Sequence, residues 1–172
     1  IRWIKYFARR GHEVHLIATG KVGNYYEDVD LKVHQLVSIS ANRGLEFAAR
    51  VSQVRKIIKS IRPELLHCHY ITNNGYLGAL SGFQPLVLTA WGSDIYVTPA
   101  NSKFFYLFTQ YTLRRAKLIT GESKDILRRV EVMRGCHEGQ LAVIQWGVDL
   151  NVFRPGLNAT EVRQDLGLLG ND

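Results

Sequence analysis

Apolar positions along the chain follow two alternating periods. Ile1, Ile4, Phe7 and Ala8 keep helical spacing, and Gly11 stands where a C-terminal cap belongs, so the chain opens in mid-helix. HEVHLIAT reads as a strand and residues 20–28 as a loop. LKVHQLVSI then reads as a half-exposed edge strand with Leu31, Val33, Val37 and Ile39 on one face. From 44 to 61, Leu45, Ala48, Val51, Val54, Ile58 and Ile61 recur at steps of three and four, an amphipathic helix that Pro63 stops. ELLHCHY predicts a strand, 75–81 a short helix, 85–90 a strand, 101–116 an aromatic-rich helix and KLIT a strand. Ser123 suits the N-cap of a helix carrying Ile126, Leu127, Val130 and Met133, and LAVIQ follows as the last strand. Strands alternating with helices over short connections predict an α/β domain with a mostly parallel sheet between two helical layers.

One phrase occurs twice. LVLTAWGSD ends at Asp94 and LAVIQWGVD at Asp149. Each is an apolar run closed by Trp-Gly-x-Asp, the form of a buried parallel strand and its C-terminal end, where open α/β sheets place ligands. The aspartates either point into that crevice or cap the turns that follow.

Composition adds bounds. A chain of 172 residues, 46% hydrophobic and 22% charged, suffices for one domain with a proper core. The net charge of +7 suggests an anionic partner: nucleic acid, a phosphorylated substrate or a membrane surface. The cations are spread over several helices and no nucleic-acid recognition motif accompanies them, so nucleic acid is not expected. Cys68 and Cys136 alone make neither a disulfide framework nor a cysteine zinc site, which fits a reducing cytoplasm. The sequence has no signal peptide, no apolar run long enough to span a bilayer, and neither a G-x-G-x-x-G nor a P-loop motif. His67 and His69 share a strand face, but no third ligand stands near them, so no metal is expected. His67 reads as a hydrogen-bonded core residue. His69 and Tyr70 emerge at the strand end, ahead of the polar loop residues Asn73, Asn74 and Gly75. His12, His15, His34 and His137 read as surface or strand-face residues.

RPELLHCHY, PLVLTAWGSD, RRAKLITGES and LAVIQWGVDLNVFRPG, in this order, form a specific series. Its sharpest parts are G-V-D-x-x-x-F-x-P, at Gly147, Val148, Asp149, Phe153 and Pro155, and G-x-D at Gly92 and Asp94. The series resembles the N-terminal half of the family 4 (group 1) retaining glycosyltransferases, enzymes of the GT-B fold with two Rossmann-like domains. The resemblance implies a Rossmann-like acceptor-binding domain over 1–150. Residues 151–172 would be the crossover and the start of a donor-binding domain that lies outside the chain, and the first strand with its glycine loop would be missing too. It also implies no cofactor, only a nucleotide-diphosphate sugar as donor, and a sugar, lipid-linked or small-molecule acceptor. An enzyme of this kind would be cytoplasmic, with peripheral attachment to the inner membrane face.

On this resemblance Asp94 would be catalytic, facing the cleft, with His69, Tyr70, Asn73, Asn74, Trp91, Gly92 and Ser93 at the acceptor, and Asp149 in the domain crossover. Trp91 departs from the family, many of whose members have His there. Indole cannot carry a proton at neutral pH but stacks well on the apolar face of a sugar ring. The alternatives are a non-hydrolysing nucleotide-sugar epimerase of the same fold, or a non-catalytic Rossmann-like module that binds an anionic partner.

Overall fold

The structure, a computed structural model, describes residues 2–20, 22–23, 28–134, 138–156 and 159–168. Most of the expected loop at 20–28, together with Ile1, Cys136 and His137, lies outside the described residues. The elements run α1 (Arg2–Ala8), β1 (Val14–Ala18), β2 (Leu31–Gln35), α2 (Arg43–Ile61), β3 (Leu66–His69), α3 (Tyr76–Ser81), β4 (Leu86–Ala90) and α4 (Ser93–Tyr96). After them come α5 (Lys103–Arg115), β5 (Leu118–Gly121), α6 (Lys124–Arg134), β6 (Leu141–Val143) and α7 (Thr160–Asp165). All pairings are parallel, as the alternation predicts. They form two ladders: β1-β2, and a four-stranded sheet in the order β3-β4-β5-β6. Among the described residues no strand pairs with the free edge of β3; instead α1 lays Trp3 against His67 and His69, with ring centroids 5.2 and 5.7 Å apart.

Local chemistry sets the element ends. The Asn42 side chain accepts from the Gly44 and Leu45 amides and starts α2; Arg62, in the left-handed region just before Pro63, ends it. Ser123 caps α6 as expected, accepting from the Ile126 amide at 3.2 Å. The second strand departs from its sequence reading and stops at Gln35. Beyond it, the Val37 amide donates to Gln53 and the Ile39 amide to Glu46, so α2 side chains take the backbone groups that a ladder would have used. Of the residues read as sharing one face of this half-exposed strand, Val33, Val37 and Ile39 are exposed, and the buried residue is Leu36, packed with Val51, Val54, Ile58 and Leu77. Ile17 of β1 packs against the same cluster.

The main core lies around β4 and β5, where Leu86, Leu88, Ile95, Leu113, Ile119, Val130 and Met133 are wholly buried. Helix α3 approaches the sheet closely through Gly78: a Cβ there would lie 2.5 Å from Cys68 Sγ. Helices α4 and α7, like the single 3-10 turns at Thr98–Asn101 and Glu138–Gln140, have no counterpart in the sequence reading.

Candidate functional site

Parallel strands bring their C-terminal ends to one edge, so the loops after β3, β4 and β6 meet there. The loop after β3 is held in unusual backbone: Tyr70 (φ 74) and Asn73 (φ 83) both occupy the positive-φ region without being glycine. Such conformations persist only where the surroundings impose them. Here the Tyr70 amide donates to the Thr89 carbonyl, the Asn74 side-chain amide donates to the His69 carbonyl at 2.9 Å, and the Ile71 amide donates to Asp94 Oδ2 at 2.7 Å.

Asp94 is the hub. It is fully buried (0% exposed), and its other oxygen accepts from the Trp91 amide at 3.0 Å. One carboxylate therefore ties the loop after β3 to the loop after β4. Burial pushes its carboxyl up from the ordinary value, against the backbone hydrogen bonds from Ile71 and Trp91 that pull it down. Gly92, at φ 102, supplies the turn that returns Asp94 beneath Trp91. Above this hub the Tyr70 hydroxyl and Ser93 Oγ are 3.0 Å apart.

The two histidines differ. His67 Nε2 meets Thr89 Oγ1 at 2.7 Å, and Thr89 in turn meets Thr120 at 2.7 Å, a polar thread through the sheet that gives His67 the hydrogen-bonded place expected of it. His69 Nδ1 is buried with no partner among the described residues, and its ring stands 6.1 Å from Trp91 at a steep angle. Burial lowers both imidazoles to about 4, so both are neutral at pH 7. Among the described residues no three His, Cys, Asp or Glu side chains gather as a metal site would require.

Sequence reasoning missed Trp146. Strand β5 lies between β4 and β6, and over its end Trp91 and Trp146 meet edge to face, ring centroids 4.2 Å apart, 45% and 40% exposed. The signal was the repeated phrase itself: both copies end their strands with Trp, and neighbouring strand ends place those rings together. His69, Tyr70, Asn74, Trp91, Gly92, Ser93 and Asp94 thus gather at one edge with Asn73 in the same loop. Gly147, Val148, Asp149, Phe153 and Pro155 leave that edge in an exposed segment. There Asp149 caps a turn: its side chain accepts from the Asn151 amide at 2.9 Å and its carbonyl from Phe153 at 2.7 Å.

The fold is that of known solved structures. A glycosyltransferase from Rickettsia africae matches with a TM-score of 0.65 at 16% identity, over 98% of this chain and 45% of its own. Anabaena Alr3699/HepE, in complex with UDP, matches at 0.60 and 18%, over 92% and 50%. UDP-N-acetylglucosamine 2-epimerase from Rickettsia bellii matches at 0.56 and 14%, over 89% and 43%. The chain spans half or less of the length of each. No curated protein matches it in sequence. The alternating parallel architecture through β5 and the first strand-end motif, at Trp91–Asp94, lie within the residues 1–123 matched by a family model described as glycosyl transferase 4-like, and the chain belongs to that family.

Proposed function

We propose that residues 1–150 are the acceptor-binding half of a retaining glycosyltransferase, with 151–172 leading into a donor-binding domain. The carrying observation is the family match over residues 1–123, the same stretch that contains the Asp94-centred edge. In this reading Trp91 stacks on the apolar face of an acceptor sugar, and Tyr70, Asn73, Asn74 and Ser93 lie within reach of its hydroxyls. His69 is neutral, and its ring stands 6.1 Å from Trp91 at a steep angle, backing that platform. Asp94 acts as a positioning residue: with both oxygens engaged by backbone amides, it holds the two acceptor loops in register.

Retaining transfer develops oxocarbenium-like charge on the donor sugar and negative charge on the departing diphosphate. An acceptor hydroxyl held in line accelerates that step by saving orientational entropy. The donor is a nucleotide-diphosphate sugar, the transferred unit a hexose, and the enzyme is cytoplasmic and peripheral on the membrane's inner face. The UDP in the HepE structure supports a nucleotide donor. No described helix is long and apolar enough to cross a membrane, and the net charge of +7 supports attachment by charge. The 172-residue chain by itself transfers no sugar.

The likeness to the 2-epimerase favours a second reading, epimerisation of a nucleotide sugar; the Gly147–Pro155 crossover signature weighs against it. A donor screen with the full-length protein separates the two. Acceptor-dependent release of nucleoside diphosphate is expected. Interconversion of two nucleotide sugars without an acceptor would overturn the transferase reading.

A further inference from the structure

Helix α5 has two contrasting faces. Thr109, Thr112 and Leu113 are buried against the core. The opposite face carries Phe104 (68% exposed), Leu107 (51%) and Tyr111 (43%), at steps of three and four residues. Phe108 ties the stripe together, with ring centroids 5.9 Å from Phe104 and 6.3 Å from Tyr111.

Along the sequence of this segment the charge has one sign; in space Phe47 of α2 meets Phe108, and the adjacent Glu46 is paired with Arg50. Between Asp94 and Glu122 the sequence carries Lys103, Arg114, Arg115 and Lys117 and no acidic residue. At 3.6 residues per turn, Lys103 and Arg114 fall within roughly 40° of Leu107, so exposed cations line one flank of the apolar stripe. An occupant must take Phe and Leu into an apolar interior, leave the Tyr hydroxyl at a polar boundary and supply negative charge. An anionic lipid surface meets all three conditions. A second copy of this chain, itself at +7, would set like charges against each other.

We propose that the Phe104–Tyr111 face of α5 docks in the plane of an anionic lipid surface. This locates the peripheral attachment named above on one helix. Vesicle flotation detects no sugar transfer, so the docking face and the transferase reading can fail separately. The chain is floated with vesicles of mixed phosphatidylcholine and phosphatidylglycerol, with phosphatidylcholine vesicles as reference. Wild type is expected to float with the mixed vesicles, less at high salt and little with phosphatidylcholine alone. Phe104→Ser with Leu107→Ser should weaken partitioning at least about tenfold. Lys103→Gln and Arg114→Gln should weaken it about fivefold per charge removed. Both sets change exposed side chains, and circular dichroism melts should match wild type. Absence of flotation, or a serine variant that floats like wild type, overturns the proposal. So does a dimer in sedimentation that Phe104→Ser dissolves, which would give the face to a second copy.

Discussion

The two Trp-Gly-x-Asp copies are nearly the same words placed in different surroundings. After β4 the aspartate turns inward, is fully buried and joins two loops through the Ile71 and Trp91 amides. After β6 the aspartate stays at the surface and closes a local turn. Only the tryptophans do the same thing in both copies: they project from the sheet edge and touch. The difference comes from neighbours. The β4 end lies beside the irregular loop at 71–75, whose amides need an acceptor. Beside the β6 end, among the described residues, the chain runs out into solvent. A motif thus specifies its own turn, while burial decides whether its carboxylate becomes structural.

The largest effect should come from the buried copy. Asp94→Ala strands two backbone donors in the interior and should cost about 4 kcal/mol, read as a shift in urea midpoint. Asp94→Asn keeps one acceptor but sets its NH2 group against an amide donor, at about 2 kcal/mol. In the full-length enzyme Asp94→Asn should also reduce turnover at least about tenfold, roughly 1.4 kcal/mol of barrier. If loop positioning is the cause, the loss should appear in kcat and in acceptor KM together. A stable Asp94→Ala chain would dissolve the contrast between the copies.

Acid should weaken the same region. His67 and His69 have folded values lowered by burial from 6.5 to about 4. Their contribution is therefore complete above 6.5 and is lost as pH falls from there through about 4. Urea titrations across that window should show falling stability, and His67→Gln should flatten the fall. Asp94 has the opposite sign. Its folded value is raised, so its contribution is full below the ordinary 3.8 and lost as pH rises through the folded value. The deficit of Asp94→Asn against wild type should therefore grow as the solution is acidified.

How much of this was legible beforehand varies by element. The strands β4 and β5 and the helices α2 and α6 follow from periodicity and from signals such as Ser123 and Pro63, which act on adjacent backbone. The early end of β2 was not legible, because it depends on Gln53 and Glu46 reaching back from another element. The residues at the sheet edge were readable as a group, since parallel strands must end together. The inward turn of Asp94 was not: its partners are main-chain amides, which leave no side-chain signature. Trp146 could have been found by taking the repeated phrase spatially as well as textually.

A smaller effect should couple the copies. Edge-to-face aromatic pairs contribute about 0.5–1.5 kcal/mol beyond their buried area, so a double-mutant cycle of Trp91→Ala and Trp146→Ala should return about 1 kcal/mol. Additive losses would mean the rings act separately. In the full-length enzyme Trp91→Ala should raise acceptor KM more than donor KM.

The smallest effect should come from the exposed aspartate. Asp149→Ala removes one surface side-chain hydrogen bond, to the Asn151 amide, while the Phe153 amide still has the residue-149 carbonyl. Water can replace the lost acceptor, so the cost should be about 0.5 kcal/mol, close to the limit of a urea melt. Its consequence in the full-length protein should be in alignment of the two halves: donor and acceptor KM both rise, and the chemical step, read in a single turnover at saturating substrates, stays near wild type. Suppose instead that Asp149→Ala abolishes the single turnover in a folded enzyme while Asp94→Asn leaves it intact. The exposed copy would then hold the reacting groups, the buried copy would be architectural only, and the assignment drawn from burial would be reversed.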